Sequence, residues 1–330
     1  MARAADKLCV GDWVVVRNAR EITNTLDVNG TLDGLPFMPE MTSLCGRCMR
    51  VLRVAEKTCV EYPGMEYKIR EFRNNDVVIL EDSRCSGADH DGCGRACVFL
   101  WKMAWLRKVS TNTDTAAADQ PAQEALRATL KTVTAPDHYF CQSTELSKAT
   151  QPLSRSQVIA KCFKEVLTGN RGAFEMVRMM AVPVWRYVTK TLRPPILAGD
   201  LKRTPVGNLN LQPSELVRIK TEAEIVKTLD SRALNRGLSC DRGMRQFCGG
   251  TYKVRNRLNR MISESSGRMR QVEGTVILEG LQCICWWNHV GGCPREDYMY
   301  WREVWLERAG GNGDPSRGTP NTEETKSSVS

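Results

Sequence analysis

The chain carries one unit twice, so whatever one copy folds into, the other must be able to fold into as well. LCVGDWVVVRNAREITNTLDVNGTLDGL (8–35) aligns with LQPSELVRIKTEAEIVKTLDSRALNRGL (211–238) at a constant offset of 203. Leu8, Val14, Glu21, Ile22, Thr25, Leu26, Asp27, Gly34 and Leu35 all recur at that offset. It also pairs Met41 with Met244, Cys45-Gly46 with Cys248-Gly249, and Val51 with Val254. After a shorter middle, VVILEDSRC (77–85) matches TVILEGLQC (275–283), and WKMAWLRK (101–108) matches WREVWLER (301–308). A repeat of roughly 100 residues is too long for a solenoid and fits a duplicated domain.

Within each copy, DWVVVR and ELVRIK are short β-branched runs that suit a strand, and 47–54, 251–258, VVIL and TVIL supply further strands. Ile22 and Leu26, like Ile225 and Leu229, sit four apart as on a short amphipathic helix. Trp101 and Trp105, and Trp301 and Trp305, stand at helical spacing and predict a Trp-bearing helix at the end of each copy. The expected fold class is α+β. Two duplicated, mainly β units, each an SH3-like barrel with a zinc knuckle and that C-terminal helix, are joined by a helical middle region. The expected boundaries are a first repeat unit at 1–110, a linker at 111–134, the helical middle at 135–210, a second repeat unit at 211–309 and a disordered tail at 310–330.

The middle region resembles neither copy. TNTDTAAADQPAQ has no periodicity and reads as a linker. SRSQVIAKCFKEVL (154–167) has a Ser cap and apolar residues at helical spacing. AFEMVRMMAVPVWRYVTKTL (173–192) continues the helical pattern. Its Met176, Met179 and Met180 either pack between the repeats or dock a partner or lipid surface. The tail, GGNGDPSRGTPNTEETKSSVS, is too polar to bury a core.

Composition narrows the class. No apolar run reaches the ~18–20 residues of a membrane span, and MARAADKLCVGDW lacks the apolar core of a signal peptide. A cytoplasmic protein is the expectation. The net charge of +9 is spread along the chain, and no block is basic enough to demand nucleic acid. The 14 cysteines, diluted over this length and without an export signal, point to metal ligands or buried free thiols more than to a disulfide framework.

Duplication supplies a test for those cysteines, because residues needed for one chemistry should recur. Cys45 pairs with Cys248, Cys85 with Cys283, Cys93 with Cys293, and His90 with His289 after one residue of slippage. Cys97 aligns with Asp297 instead, and Cys240 faces Phe37. Three thiolates and one imidazole form a soft four-ligand set that suits tetrahedral zinc. The reading is therefore two structural Zn2+ ions, on Cys45, Cys85, His90 and Cys93 and on Cys248, Cys283, His289 and Cys293. Gly87 and Gly92, and Gly291 and Gly292, give the loops the backbone freedom to wrap an ion. Alternatives stay open: buried free cysteines with a surface histidine, a Cys85–Cys93 disulfide, or Cys97 in place of His90 and Cys285 in place of His289.

No phosphate-binding glycine loop, G-x-S-x-G elbow or His-Glu-x-x-His motif is present. His138, with Cys141 and Glu145 nearby, is the remaining weak set of catalytic candidates. Asp27 and Asp230, in the shared Thr-Leu-Asp element, read as carboxylates that bind turn amides.

GDWVVVR, TLD, GLPFMPEM, the CG pair, the Cys/His loop and WKMAWLRKV together resemble a group of uncharacterised bacterial proteins. Those proteins are associated with gene clusters for polysaccharide or secondary-metabolite biosynthesis. The resemblance spans both repeats and the CQSTEL segment, and implies an accessory role in a biosynthetic pathway. The second copy departs from the pattern where SCDRGM replaces PFMPEM. The functional expectation is a non-catalytic, zinc-binding scaffold or adaptor that holds a protein partner or pathway component. One alternative is nucleic-acid binding through SH3-like barrels and zinc knuckles. The other is an enzyme that uses the segment from His138 to Glu145.

Overall fold

The structure is a computed structural model and describes residues 7–63, 66–110, 119–174, 177, 198–241, 243–283 and 295–309. The run WVVV forms strand β1 (Trp13–Val16), with its three valines buried. Strands β2 (Cys48–Val54), β3 (Val77–Arg84), β4 (Val98–Lys102) and β5 (Leu106–Val109) complete a curled five-stranded antiparallel half-barrel. Its order is β4-β3-β2-β1-β5. The second copy repeats this with β6 (Leu216–Ile219), β7 (Thr251–Arg257), β8 (Thr275–Gln282), β9 (Tyr298–Arg302) and β10 (Leu306–Arg308), in the order β9-β8-β7-β6-β10. Even the irregularity recurs: the register shifts between Val51 and Arg53, and again between Val254 and Asn256.

Each half-barrel closes over the same apolar set. Val14, Ile22, Val51, Trp101 and Trp105 lie in one core, and Val217, Ile225, Val254, Trp301 and Trp305 in the other. The expected Trp-bearing helix is corrected here. Trp101 and Trp301 belong to strands, while Trp105 and Trp305 end single 3-10 turns, Met103–Trp105 and Glu303–Trp305. A strand running into a tight turn brings residues four apart into one core, as a helix would.

The short helix α1 (Ala19–Thr23) starts where the sequence places it, through a capping box. Asn18 accepts from the Glu21 amide at 2.9 Å, and Glu21 accepts from the Asn18 amide at 3.1 Å. The following turn is tied by Asp27, whose carboxylate accepts from the amides of Asn29 and Thr31, both at 2.9 Å, and from the Thr31 hydroxyl at 2.7 Å. Asp230 does the same with the amides of Arg232 and Leu234, at 2.8 and 2.9 Å. Burial works against ionisation of Asp27, but the Thr31 hydroxyl and the Thr31 and Asn29 amides outweigh it. Its carboxyl therefore titrates below the ordinary 3.8. A depressed folded value means stability that is present above the ordinary value and lost as the pH falls through the folded one. Asp27→Asn is expected to flatten the acid limb of stability below about pH 4, measured by urea unfolding across pH. An unchanged limb would rule this out.

Part of the stretch expected as a linker, 111–134, is helical. Residues Gln120–Thr129 form helix α2, capped by Asp119, which accepts from the Ala122 amide at 3.1 Å, with a proline in its first turn. One buried residue, Leu126, anchors it to the core, too little periodicity to register in the sequence. Helices α3 (Gln142–Ala149) and α4 (Arg155–Leu167) follow. The expected cap of α4 is present, Ser154 accepting from the Gln157 amide at 3.3 Å. That helix is anchored by buried ion pairs: Lys57 with Glu165 at 2.9 Å, and Lys161 with Glu56 and Glu71, both at 3.1 Å. Most of the Met-rich stretch at 173–192, together with His289, Cys293 and the tail, lies outside the described residues.

The chain forms two compact units that do not follow the linear division. One comprises 1–193 with 259–272 and 282–298, and the other 194–258, 273–281 and 299–330. The hairpin Arg260–Ile262 with Met269–Gln271 and the stretch after Gln282 thus belong with the first unit. The reason is polar: Glu264 and Arg295, both buried, find their charge partners there.

Candidate metal centre

The loop between β3 and β4 folds over itself. The Cys85 amide donates to the Cys97 carbonyl at 2.8 Å and closes its base. Gly87, at φ +77°, takes amides from His90 and Gly92 on its carbonyl, both at 3.0 Å, and the Cys93 amide donates to His90 O at 3.0 Å. A Cβ at position 87 would lie 2.0 Å from the Cys93 carbonyl oxygen, so only glycine lets the two strands of the loop touch.

This crossing brings Cys85, His90, Cys93 and Cys97 to the wall of one cavity of about 40 Å³, which Cys141 at the start of α3 also lines. The volume is enough for a few water molecules, each needing about 10–15 Å³. His90 is 1% exposed, and its Nε2 lies 3.1 Å from the Phe140 carbonyl. A carbonyl only accepts, so Nε2 is the donor in this contact. The other ring nitrogen, Nδ1, is buried and has no hydrogen-bond partner among the described residues.

The sulfur atoms are held too. Cys93 Sγ accepts from the Ile262 amide at 3.4 Å. The Cys85 thiol donates to Glu40 Oε1 at 3.6 Å, and the other Glu40 oxygen accepts from the Ser86 amide at 2.7 Å. Burial, with Glu40 and Cys97 adding to it, pushes the Cys85 thiol far up. Burial takes Cys97 to about 12 and raises Cys141 as well. These are protonated, unreactive thiols unless a cation replaces the proton.

Of the recurring set, the structure brings Cys85, His90 and Cys93 together and places Cys45 elsewhere. Cys45 follows the 3-10 turn Pro39–Leu44 and sits within the hydrophobic core, its thiol raised to about 11 by burial. Its counterpart Cys248 packs against the second core, where Cys240 is a charge neighbour. Cys283 directly follows β8 and belongs to the first unit. Among the described residues, no group of three or more His, Cys, Asp or Glu side chains is placed so that it could hold a metal ion.

The catalytic candidates are dispersed in their bonding. His138 Nδ1 is 3.0 Å from the Pro136 carbonyl, and Glu145 pairs with Lys148 at 2.6 Å. Burial raises the Cys141 thiol, opposite to what a thiolate nucleophile needs. Between them, Gln142 is consumed by structure, bonding Leu100 N and O at 2.8 Å each and the Pro36 carbonyl at 2.9 Å.

Sequence reasoning missed a buried charge cluster beside the cavity. Ser143 Oγ accepts from Arg95 and Arg295, both at 3.2 Å, and donates to Glu264 at 3.0 Å. Arg295 also bonds Glu264 at 2.6 Å and Asp297 at 3.2 Å. The signal was there in the repeats: Cys93-Gly-Arg95 and Cys293-Pro-Arg295 place an arginine two residues after the matched cysteine. No protein-family model matches the chain, nor does any curated protein or solved structure.

Proposed function

We propose that the chain is a non-catalytic, zinc-binding scaffold or adaptor whose loops are held by metal while its surface holds a protein partner. The observation that carries this reading is the cavity walled by thiols and by a buried imidazole whose Nδ1 has no hydrogen-bond partner among the described residues. Zinc supplies the charge that lets such thiols ionise, and a closed set of protein ligands makes its role structural. In each copy a 3-10 turn precedes a fifth strand that returns to pair with the first, which supports the SH3-like reading of the half-barrels. Phe163 and Leu167, one turn apart on α4, are 60% and 74% exposed and give a partner an apolar surface to cover. An accessory place in a bacterial biosynthetic pathway rests on the resemblance alone.

The test is metal content by plasma mass spectrometry, on full-length protein purified without a His tag or chelator. One to two zinc per chain, with a fall in Tm when chelator strips it, is the expected result. Protein that holds no zinc and takes none up under reducing conditions overturns the reading.

A further inference from the structure

We infer that Cys85 and Cys97 are a thiol–disulfide exchange site, which a low-molecular-weight disulfide oxidises to a single cross-strand bond. Neither thiol needs a metal for this chemistry.

The register of β3 and β4 sets the pair. Arg84 stands opposite Val98, so one step further along Cys85 stands opposite Cys97, and the Cys85 amide donates to the Cys97 carbonyl at 2.8 Å. Facing residues joined in this way lie about 5.5 Å apart at Cα, inside the roughly 4.4–6.8 Å that a disulfide spans. Directly opposite residues of an antiparallel pair also share a face, and both cysteines line the cavity of about 40 Å³. That space lets the two side chains turn toward each other. Both are free and half-buried, within reach of a small oxidant, whereas Cys93 is buried and its sulfur accepts from the Ile262 amide at 3.4 Å. Cys97 is therefore the partner of Cys85. The second copy departs here: Cys283 N donates to Asp297 O at 2.7 Å, the same backbone bond, so a carboxylate stands where the first copy has its second thiol.

The exchange balances in two steps. Glu40, which accepts from the Cys85 thiol at 3.6 Å, takes its proton, and the thiolate attacks one sulfur of the small disulfide. A mixed disulfide forms on Cys85 and one small thiolate leaves. Cys97, its proton lost to water, then attacks Cys85 Sγ, the protein disulfide forms and the second small thiolate leaves. The protein gives up two electrons and two protons, and the small disulfide becomes two thiols. Burial makes both steps slow, because only a thiolate attacks, while the strand register fixes which sulfur is attacked. The bond also withdraws Cys85 from the set proposed to hold zinc.

The experiment equilibrates the full-length chain with glutathione and glutathione disulfide at stepped ratios. Chelator is kept in every buffer, so the outcome is independent of whether the chain holds zinc. Alkylation then traps the remaining thiols, and tryptic peptides, cut at Arg95 between the two cysteines, are mapped by mass spectrometry without reduction. The expected result is peptides 85–95 and 96–102 linked through Cys85 and Cys97, with the link lost when reduced glutathione is restored. Cys97→Ser should lose the link and leave glutathione on Cys85, and the wild-type map stands even if that variant does not fold. Alkylation of both cysteines at every ratio, a mixed disulfide on Cys85 that never resolves, or a Cys85–Cys93 link in wild type overturns the site.

Discussion

Glu264→Ala will destabilise the first compact unit by about 3–5 kcal/mol, the cost of removing one partner from a buried charge network. Arg95 and Arg295 are 8% and 5% exposed, and both lie against this carboxylate. Glu264 also accepts from the Glu61 amide at 3.0 Å and from Ser143. Burial alone would neutralise it, but Arg295 and Arg95 outweigh burial and hold its carboxyl below the ordinary value. Without it, two guanidiniums and an amide lose a partner where water does not reach. Glu264→Gln keeps the amide and hydroxyl bonds and should cost less. Urea unfolding, followed with amide exchange in Thr58–Tyr62, separates these outcomes. A loss below about 1 kcal/mol for the alanine variant, the range of exposed pairs, would mean the cluster is solvated.

Trp105→Ala and Trp305→Ala should each cost about 3–5 kcal/mol in their own unit. Both indoles are fully buried, and each donates to the same repeated threonine, Thr25 at 3.0 Å and Thr228 at 2.9 Å. Truncation therefore opens a cavity and removes the hydroxyl's buried partner. The first copy should lose more. Phe37 packs edge-on against Trp105 at 5.1 Å, an arrangement worth about 0.5–1.5 kcal/mol beyond area, whereas the second copy has Cys240 in that place. Trp301 adds a control: among the described residues its Nε1 has no hydrogen-bond partner, and Leu281 stands where Ser83 accepts from Trp101 at 2.9 Å. Equal losses for Trp105→Ala and Trp305→Ala in urea unfolding would remove Phe37 from this account.

Features readable from the sequence share one property: their partners are close in the chain or repeated in it. The strand at Trp13–Val16, the Asn18 capping box, the Asp27 and Asp230 turns and the Ser154 cap each join residues within four positions. Duplication added the common strand order, since matched apolar residues must bury the same face. The Trp spacing misled because a strand followed by a 3-10 turn imitates helical periodicity. Recurrence of cysteines reads differently, because two copies preserve core positions as firmly as chemical ones: Cys45 packs in the core, whereas Cys97, which does not recur, lines the cavity.

By itself, then, the sequence determined that two related β units exist, where their strands run, and that Cys85, His90 and Cys93 share a loop. Tertiary structure alone decided that Cys97 and Cys141 line the same cavity as these three, and that Glu264 and Arg295 of the second repeat complete the first unit. Those outcomes depend on side chains far apart in the chain, such as Glu264 and Ser143, which meet only when the fold is closed. Burial then decides their energetics, because a charge or lone pair removed from water must find its partner inside the protein.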